Sequence, residues 1–433
     1  MKHDEIASDP GHLRPAWHLL FLVVSLFFLW GVANNLNDIL IKHFKKAFEL
    51  SDFQAGLVQS AFYFGYFTFA IPAGMFMRRF GYKGAIVLGL LLYATGAFLF
   101  YPAAEKHAYV LFLLALYVIA SGLAFLETSA NPLITVLGPR EGAAQRLNFA
   151  QAFNPLGSIT GVLVGQQFIL SGIEHTPEQI AAMTTAERAT FYTTESAAVQ
   201  VPYLVIGAIV LVWALLFLIS RFPKTRDTDE AGDRGGGFAH LADLLRDRYF
   251  MLAVIAQFFF VGAQIGIWSY LIRYTQVTVP GTPEKVAASY LMASLVLFML
   301  GRFTGTALMR YVAPARLLAT YALINAVLCT VAVAFPGPTG LYALVAASFF
   351  MSIMFPTIFA LGLDGLNDEK RKLGSSLLVM SIIGGAIITA VMGATSAAFG
   401  IHWAMLVPLF CFAIILTFAL RSSSAGVVAA IRV

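Results

Sequence analysis

The sequence predicts an all-α polytopic membrane protein, with 12 transmembrane helices in two six-helix bundles. Three observations predict it. Of 433 residues, 59% are hydrophobic and only 12% charged, with a mean hydropathy of +0.78; a bilayer solvates such a surface and water does not. The apolar residues fall into runs of about twenty, the length that crosses a hydrocarbon core. Lysine and arginine concentrate in alternate loops, as they do on the cytoplasmic side of membrane proteins.

Span 1, residues 17–44, begins at Trp17, and Leu20 to Trp30 carry no charge. Asn34, Asn35, Asn37 and Asp38 then arrive while the helix is still at membrane depth. Asn34, Asn35 and Asp38 are three and four residues apart and share one helix face. Span 2 (54–77) ends at Arg78 and Arg79, and span 3 (83–101) follows Gly81. Span 4 (108–137) carries Glu127 in AFLETSANPL, Asn131 one turn later, and Pro132, which loosens the backbone beyond. Span 5 (145–170) holds Gln151, Asn154 and Ser158 at the same helical spacing, with Gly157 and Gly161. The loop 171–198 contains Glu174, Glu178, Glu187 and Glu195 and reads as a short amphipathic cap before span 6 (199–220).

The segment 221–247 combines mixed charge with a glycine run and reads as a cytoplasmic linker. It separates an N-terminal bundle, 1–220, from a C-terminal bundle, 248–433. The second set of apolar runs is span 7 (248–274), span 8 (285–309), span 9 (314–335), span 10 (339–362), span 11 (372–398) and span 12 (401–420). The halves echo each other. Gly74 precedes Arg79 as Gly305 precedes Arg310, Pro132 of span 4 answers Pro356 of span 10, and Gly157 and Gly161 answer Gly384 and Gly385. Repeated halves suit a transporter whose site lies at the midplane between them; the glycines permit the close, shearing contact that rocking needs, and also plain tight packing.

With a cytoplasmic N-terminus, the cytoplasmic segments hold 20 basic residues against 7 in the outer loops, with Arg302 left inside a span. Both termini are then cytoplasmic. The first fifteen residues show no cleavage site, so span 1 is expected to stay. Net charge is +5, but the basic residues are scattered and form no stripe for nucleic acid. Cys329 and Cys411 lie in apolar runs, which argues against a disulfide framework or a metal cluster. Without a histidine pair at ligand spacing, or a serine with a histidine at depth, an enzyme is not expected.

A charged side chain in lipid is costly and by default marks function. Burial disfavours the ionised form of an acid, so Asp38 and Glu127 are the candidates for taking up and releasing a proton; either one alternatively holds a neighbouring helix through an amide. Asn35, Asn131, Gln151 and Asn154 are candidates for binding substrate or for interhelical hydrogen bonds. The second half offers Gln264 and Trp268 in VGAQIGIWSYLIRY, then Asn325, Met354 and Phe355. Aromatic faces with amides suit a sugar ring, and Trp268 and Phe355 serve equally as packing residues. Arg79, Arg302 and Arg310 are the gating candidates; Arg302 either snorkels to the cytoplasmic surface or pairs with loop groups to latch the inward gate.

The stretches FFLWGVANNLNDIL, FQAGLVQSAFYFGYF, FLETSANPLITVLGP, RLNFAQAFNPLGS, VGAQIGIWSYLIRY and GRFTGTALMRY run through nearly the whole chain. On them the sequence resembles the bacterial L-fucose:proton symporter family of the major facilitator superfamily. The resemblance implies that Asp38 and Glu127 are the family's acidic pair, engaged in sugar binding and proton coupling, and that Asn35, Gln151 and Asn154 face a central cavity. Arg78, Arg79 and Lys83 around Gly81 resemble the superfamily's basic loop motif, with Arg78 where an acid is usual. Span 10 reads SIMFPTIF, so Met354 and Phe355 stand where the family has Gln-Tyr, and Asp364 in LGLDGLN stands where a lysine is usual.

The resulting expectation is secondary active, proton-coupled symport of a monosaccharide, L-fucose first, through the bacterial inner (cytoplasmic) membrane by alternating access. It needs no cofactor or metal, only a co-transported cation, and a monomer suffices. The rivals are a sodium-coupled glucose, galactose or N-acetylglucosamine symporter of the same family, with Asp38 or Glu127 and amide oxygens on the ion, and a sugar receptor that does not transport.

Overall fold

The computed structural model describes residues 17–47, 52–169, 182–220 and 237–431. Each expected span is helical there. Span 1 is Trp17–Ala47, and spans 2 and 3 form one run, Asp52–Glu105, bent at Gly81, whose φ of 74° favours glycine. Span 4 is Tyr109–Val136. Span 5 is two helices, Ala143–Gln151 and Phe153–Val164, closed by a π turn, Gly165–Ile169, and span 6 is Gln200–Ile219. Spans 7, 8 and 9 are Arg248–Thr278, Glu284–Leu308 and Pro314–Ala334. Span 10 breaks into Pro338–Met351 and Met354–Leu363. Span 11 breaks into Asp368–Met380 and Gly384–Phe399, and span 12 begins Leu406–Ile431. Among the described residues nine stretches are long and apolar enough to cross a membrane, one of which, Ser60–Glu105, carries spans 2 and 3 together.

Local chemistry explains several ends. The Asp247 carboxylate accepts from the Tyr249 and Phe250 amides at 2.9 and 3.1 Å and caps span 7, as Asn367 caps span 11 through the Lys370 amide at 2.9 Å. Pro314 and Pro338 open spans 9 and 10, where a missing N–H costs nothing. The acidic outer loop does form a helix, Thr185–Ala197. Thr184 and Glu187 close its first turn reciprocally, with Glu187 accepting from the Thr184 amide and hydroxyl at 2.8 and 2.7 Å. The linker is more than coil: Gly237–Arg246 is a helix, with Leu244 buried and Asp243 paired to Lys370 of span 11 at 3.2 Å.

Within the first half span 1 packs on span 5 and span 4 on spans 2 and 3; within the second, span 7 packs on span 11 and span 12 on span 9. The glycine echo has a physical basis. A Cβ on Gly157 would lie 2.0 Å from the Phe28 carbonyl oxygen, and one on Gly384 would lie 2.1 Å from that of Phe258. Spans 1 and 5, like spans 7 and 11, thus touch backbone to backbone. Large apolar side chains such as Val205, Leu215, Leu323 and Phe410 stand exposed on outer faces, where lipid rather than water solvates them.

The halves meet toward the end that carries the basic loops. Arg78 pairs with Glu369, Arg140 with Asp364 at 2.5 Å, and the Tyr82 hydroxyl donates to Asp368 at 2.9 Å. Deeper in, Gln145 donates to the Thr306 carbonyl at 3.1 Å and Asn148 to the Thr357 hydroxyl at 3.1 Å. Still deeper lie Arg302 and the midplane residues.

Candidate substrate and ion site

Span 4 runs through the middle of the first half, and every residue from Ser121 to Ile134 is buried. That placement puts Glu127 about 14 Å inside the basic end of its helix, nine residues before Val136. It is 1% exposed, and neither carboxylate oxygen has a hydrogen-bond partner among the described residues. A buried carboxylate without partners is poorly stabilised as an anion and stable with a proton. One turn on, Asn131 is fully buried, and its Oδ1 accepts from Gln151 Nε2 at 3.0 Å, while its own Nδ2 remains unpaired. Spans 4 and 5 therefore place an acid and two amides together, with donor and acceptor capacity left over.

Asn154 is half-buried and donates to the Phe27 carbonyl at 3.3 Å, at the close contact of spans 1 and 5. Asn35 and Asp38 lie on span 1; their side chains are outside the described residues. Two residues that sequence reasoning passed over join the group. Tyr66 of span 2 lies beside Glu127, with its hydroxyl turned toward the Trp30 indole, and both polar tips are buried. In the sequence they are aromatic residues in apolar helices, and nothing there distinguishes a polar tip turned inward from one turned to a neighbour.

The second half contributes less polarity. Gln264 is half-buried on span 7. Trp268 donates from Nε1 to the Ser348 hydroxyl at 3.0 Å and sets its ring edge to Phe298, 5.0 Å between centroids. Phe355 is buried between Phe260 and Phe359, a packing position. The Asn325 amide, oriented to donate to the Ala347 carbonyl at 3.0 Å and accept from the Met351 amide at 3.2 Å, repairs the backbone beside the break in span 10.

The gating candidates separate. Arg79 is exposed, with its guanidinium over the Phe80 ring, and Arg310 is exposed as well; the pairings across the halves belong to Arg78 and Arg140. The Asp364 carboxylate holds the Arg140 guanidinium further above its ordinary value. Arg302 neither snorkels nor reaches a loop. It is 4% exposed and donates from Nε to the Ser352 carbonyl at 2.7 Å and from Nη1 to the Gln151 carbonyl at 2.9 Å, with the Phe298 ring 4.6 Å below.

Two helical bundles joined at one end, with a buried acid and amides on spans 4 and 5, define a multi-pass membrane transporter. The chain matches the Major Facilitator Superfamily over residues 19–382. It is 49% identical to the L-fucose-proton symporter of Escherichia coli over 424 residues, 97% of each chain, and 39% identical to the glucose/galactose transporter of Brucella abortus over 423 residues, again 97% of each. The crystal structure of the transporter FucP in the outward conformation superposes with a TM-score of 0.87 at 48% identity, covering 93% of this chain and 98% of that one. The chain belongs to the Major Facilitator Superfamily, in the family that holds the L-fucose–proton symporters.

Proposed function

We propose that the protein carries L-fucose into a bacterial cell together with a proton, across the inner membrane and as a monomer. The basic end faces the cytoplasm, so the joined halves close the cytoplasmic side. The observation that carries the coupling is Glu127, buried with both oxygens unpaired and one turn from the Asn131–Gln151 pair. A proton on Glu127 removes the charge that resists occlusion, the loaded carrier closes and rocks, and sugar leaves before the proton. Asp38 is the second acid, and Asn35, Asn154, Gln264 and Trp268 complete the sugar's surroundings.

Adding L-fucose to de-energised cells or vesicles then alkalinises the external medium. Glu127→Gln keeps the shape and fixes the neutral state: sugar exchange persists while proton movement and concentrative uptake disappear. With one proton per sugar, a pH difference of one unit supports about tenfold accumulation, and the variant stays at a ratio of about one. Proton-coupled accumulation by Glu127→Gln equal to that of the parent refutes the role. A second reading, sodium-coupled uptake of glucose or galactose, draws on the Brucella relative and on the loss of hydrogen-bonding groups at Met354 and Phe355. Uptake that requires sodium at fixed pH selects it.

A further inference from the structure

Three of the prolines in the spans, those nearest the contact between the halves, leave a carbonyl without its intrahelical donor, because a helix carbonyl bonds the N–H four residues on and proline has none. Pro132 frees the Thr128 carbonyl, Pro155 that of Gln151, and Pro356 that of Ser352. All three acceptors are in use. Ser375 Oγ shares its one proton between the Thr128 carbonyl at 2.9 Å and the Lys372 carbonyl of its own helix at 2.8 Å. Arg302 donates to both others, at 2.9 Å to Gln151 and 2.7 Å to Ser352. Thr128 and Gln151 belong to the first half, whereas Ser375 and Arg302 belong to the second.

We propose that the carbonyls freed by Pro132 and Pro155 are the docking points of the closed seam, with Ser375 and Arg302 as the donors that latch the second half onto them. At membrane depth a freed carbonyl must find a donor, since lipid offers none. While the seam is closed, water is excluded and Arg302 fills this need for Gln151. When the seam opens toward the basic end, water takes over at Gln151, and Arg302 keeps Ser352 within its own half. The latch also touches the central site, because the residue whose carbonyl it holds is the one whose Nε2 binds Asn131. A ligand that draws the Gln151 amide toward itself loosens the closed seam. Arg302 is thus a positioning residue whose buried charge serves chiefly the backbone; its guanidinium lies against carbonyls, the Gln151 Oε1 at 3.5 Å and the Phe298 ring.

The test uses a thiol reporter at the seam. Thr306→Cys places one two turns or less from Arg302 on span 8, at a position 7% exposed, and the native Cys329 and Cys411 are buried. Labelling by a membrane-impermeant maleimide from the basic side, without sugar, then reports opening alone and does not depend on which solute is carried. Arg302→Met is expected to speed labelling by at least about tenfold, as the loss of a charge-assisted hydrogen bond implies, and Arg302→Lys to restore part of the protection. Pro155→Ala returns an N–H to Gln151, so it weakens the latch by itself and makes the further loss of Arg302 matter less. The two substitutions together should therefore fall short of the product of their separate effects. Unchanged labelling in Arg302→Met, or strictly multiplicative effects with Pro155→Ala, overturns the proposal. Should Arg302→Met not fold, Pro155→Ala decides: labelling no faster than the parent's refutes it.

Discussion

Gly157→Ala adds a single methyl group at the closest approach of spans 1 and 5. The new Cβ would stand 2.0 Å from the Phe28 carbonyl oxygen, 2.9 Å from its carbon and 3.1 Å from the Phe28 Cα. A carbon–oxygen contact needs about 3.3 Å, so the helices must part locally by roughly 1 Å. Every clashing atom is backbone, which cannot rotate away. Alanine gains about 1 kcal/mol over glycine in a helix interior. Overpacking costs about 1–3 kcal/mol or more, and a rigid neighbour puts this site at the upper end. The Asn154 hydrogen bond to the Phe27 carbonyl, already 3.3 Å long, is lost with the separation. The net expectation is a destabilisation of about 1–3 kcal/mol where helix propensity alone predicts a gain. Thermal or denaturant unfolding of the purified protein in detergent, followed by intrinsic fluorescence, measures it. The geometry also orders a series: Gly384→Ala, 2.1 Å from the Phe258 carbonyl oxygen, should match Gly157→Ala, while Gly161→Ala, 2.7 Å from that of Val32, should cost less. A Gly157→Ala protein as stable as its parent, or a reversed order, refutes the backbone contact.

Three further outcomes are expected. Arg78→Glu and Glu369→Arg should each open the basic end by setting like charges face to face, and the double exchange should restore closure. Because the Glu369 side chain is 39% exposed, the coupling in a double-mutant cycle of maleimide labelling should be only about 1 kcal/mol. Asn325→Leu removes the amide that serves Ala347 and Met351 beside the break in span 10, and should lower stability by about 1–3 kcal/mol in the same unfolding assay. The Thr184 hydroxyl and amide hold the Glu187 carboxyl below its ordinary range. The first turn of Thr185–Ala197 is therefore fully capped above the usual glutamate range, and the cap is lost as pH falls through the lowered value. The protection of those amides, taken against their intrinsic exchange rates, should fall at acid pH, and Glu187→Gln should remove that dependence.

The spans were legible because apolar runs of membrane length leave few alternatives, and the cap over the outer loop was legible from its charge spacing. The breaks were less so. Pro356 signals the interruption of span 10, but span 11 breaks at Ser381–Ile383 without a proline, where Gly384 presses on the Phe258 carbonyl; a tertiary contact sets that bend. Glu127, Asn131 and Gln151 could be grouped in advance because helical spacing puts each pair on one face. The sequence offers Arg79 and Arg310 as gates where the structure pairs Arg78 and Arg140, since only the packed assembly decides which side of a helix end looks across to the other half. Arg302 escaped for a different reason. Its shorter hydrogen bonds go to main-chain carbonyls made available by prolines on two other spans, with the Gln151 side-chain oxygen further off at 3.5 Å, and side-chain chemistry gives no hint of the carbonyls.

The charge order at the basic end restricts how such a protein can be recombined. Arg78 and Asp364, on opposite halves, each find a complement across the seam, in Glu369 and Arg140. A hybrid joining this first half to a second half with a base at position 364 would bring Arg140 against a like charge and lose the match. Lineages that exchange domains must therefore exchange these surfaces in concert, and a designer of chimeric carriers should graft the two rims together before touching the sugar site.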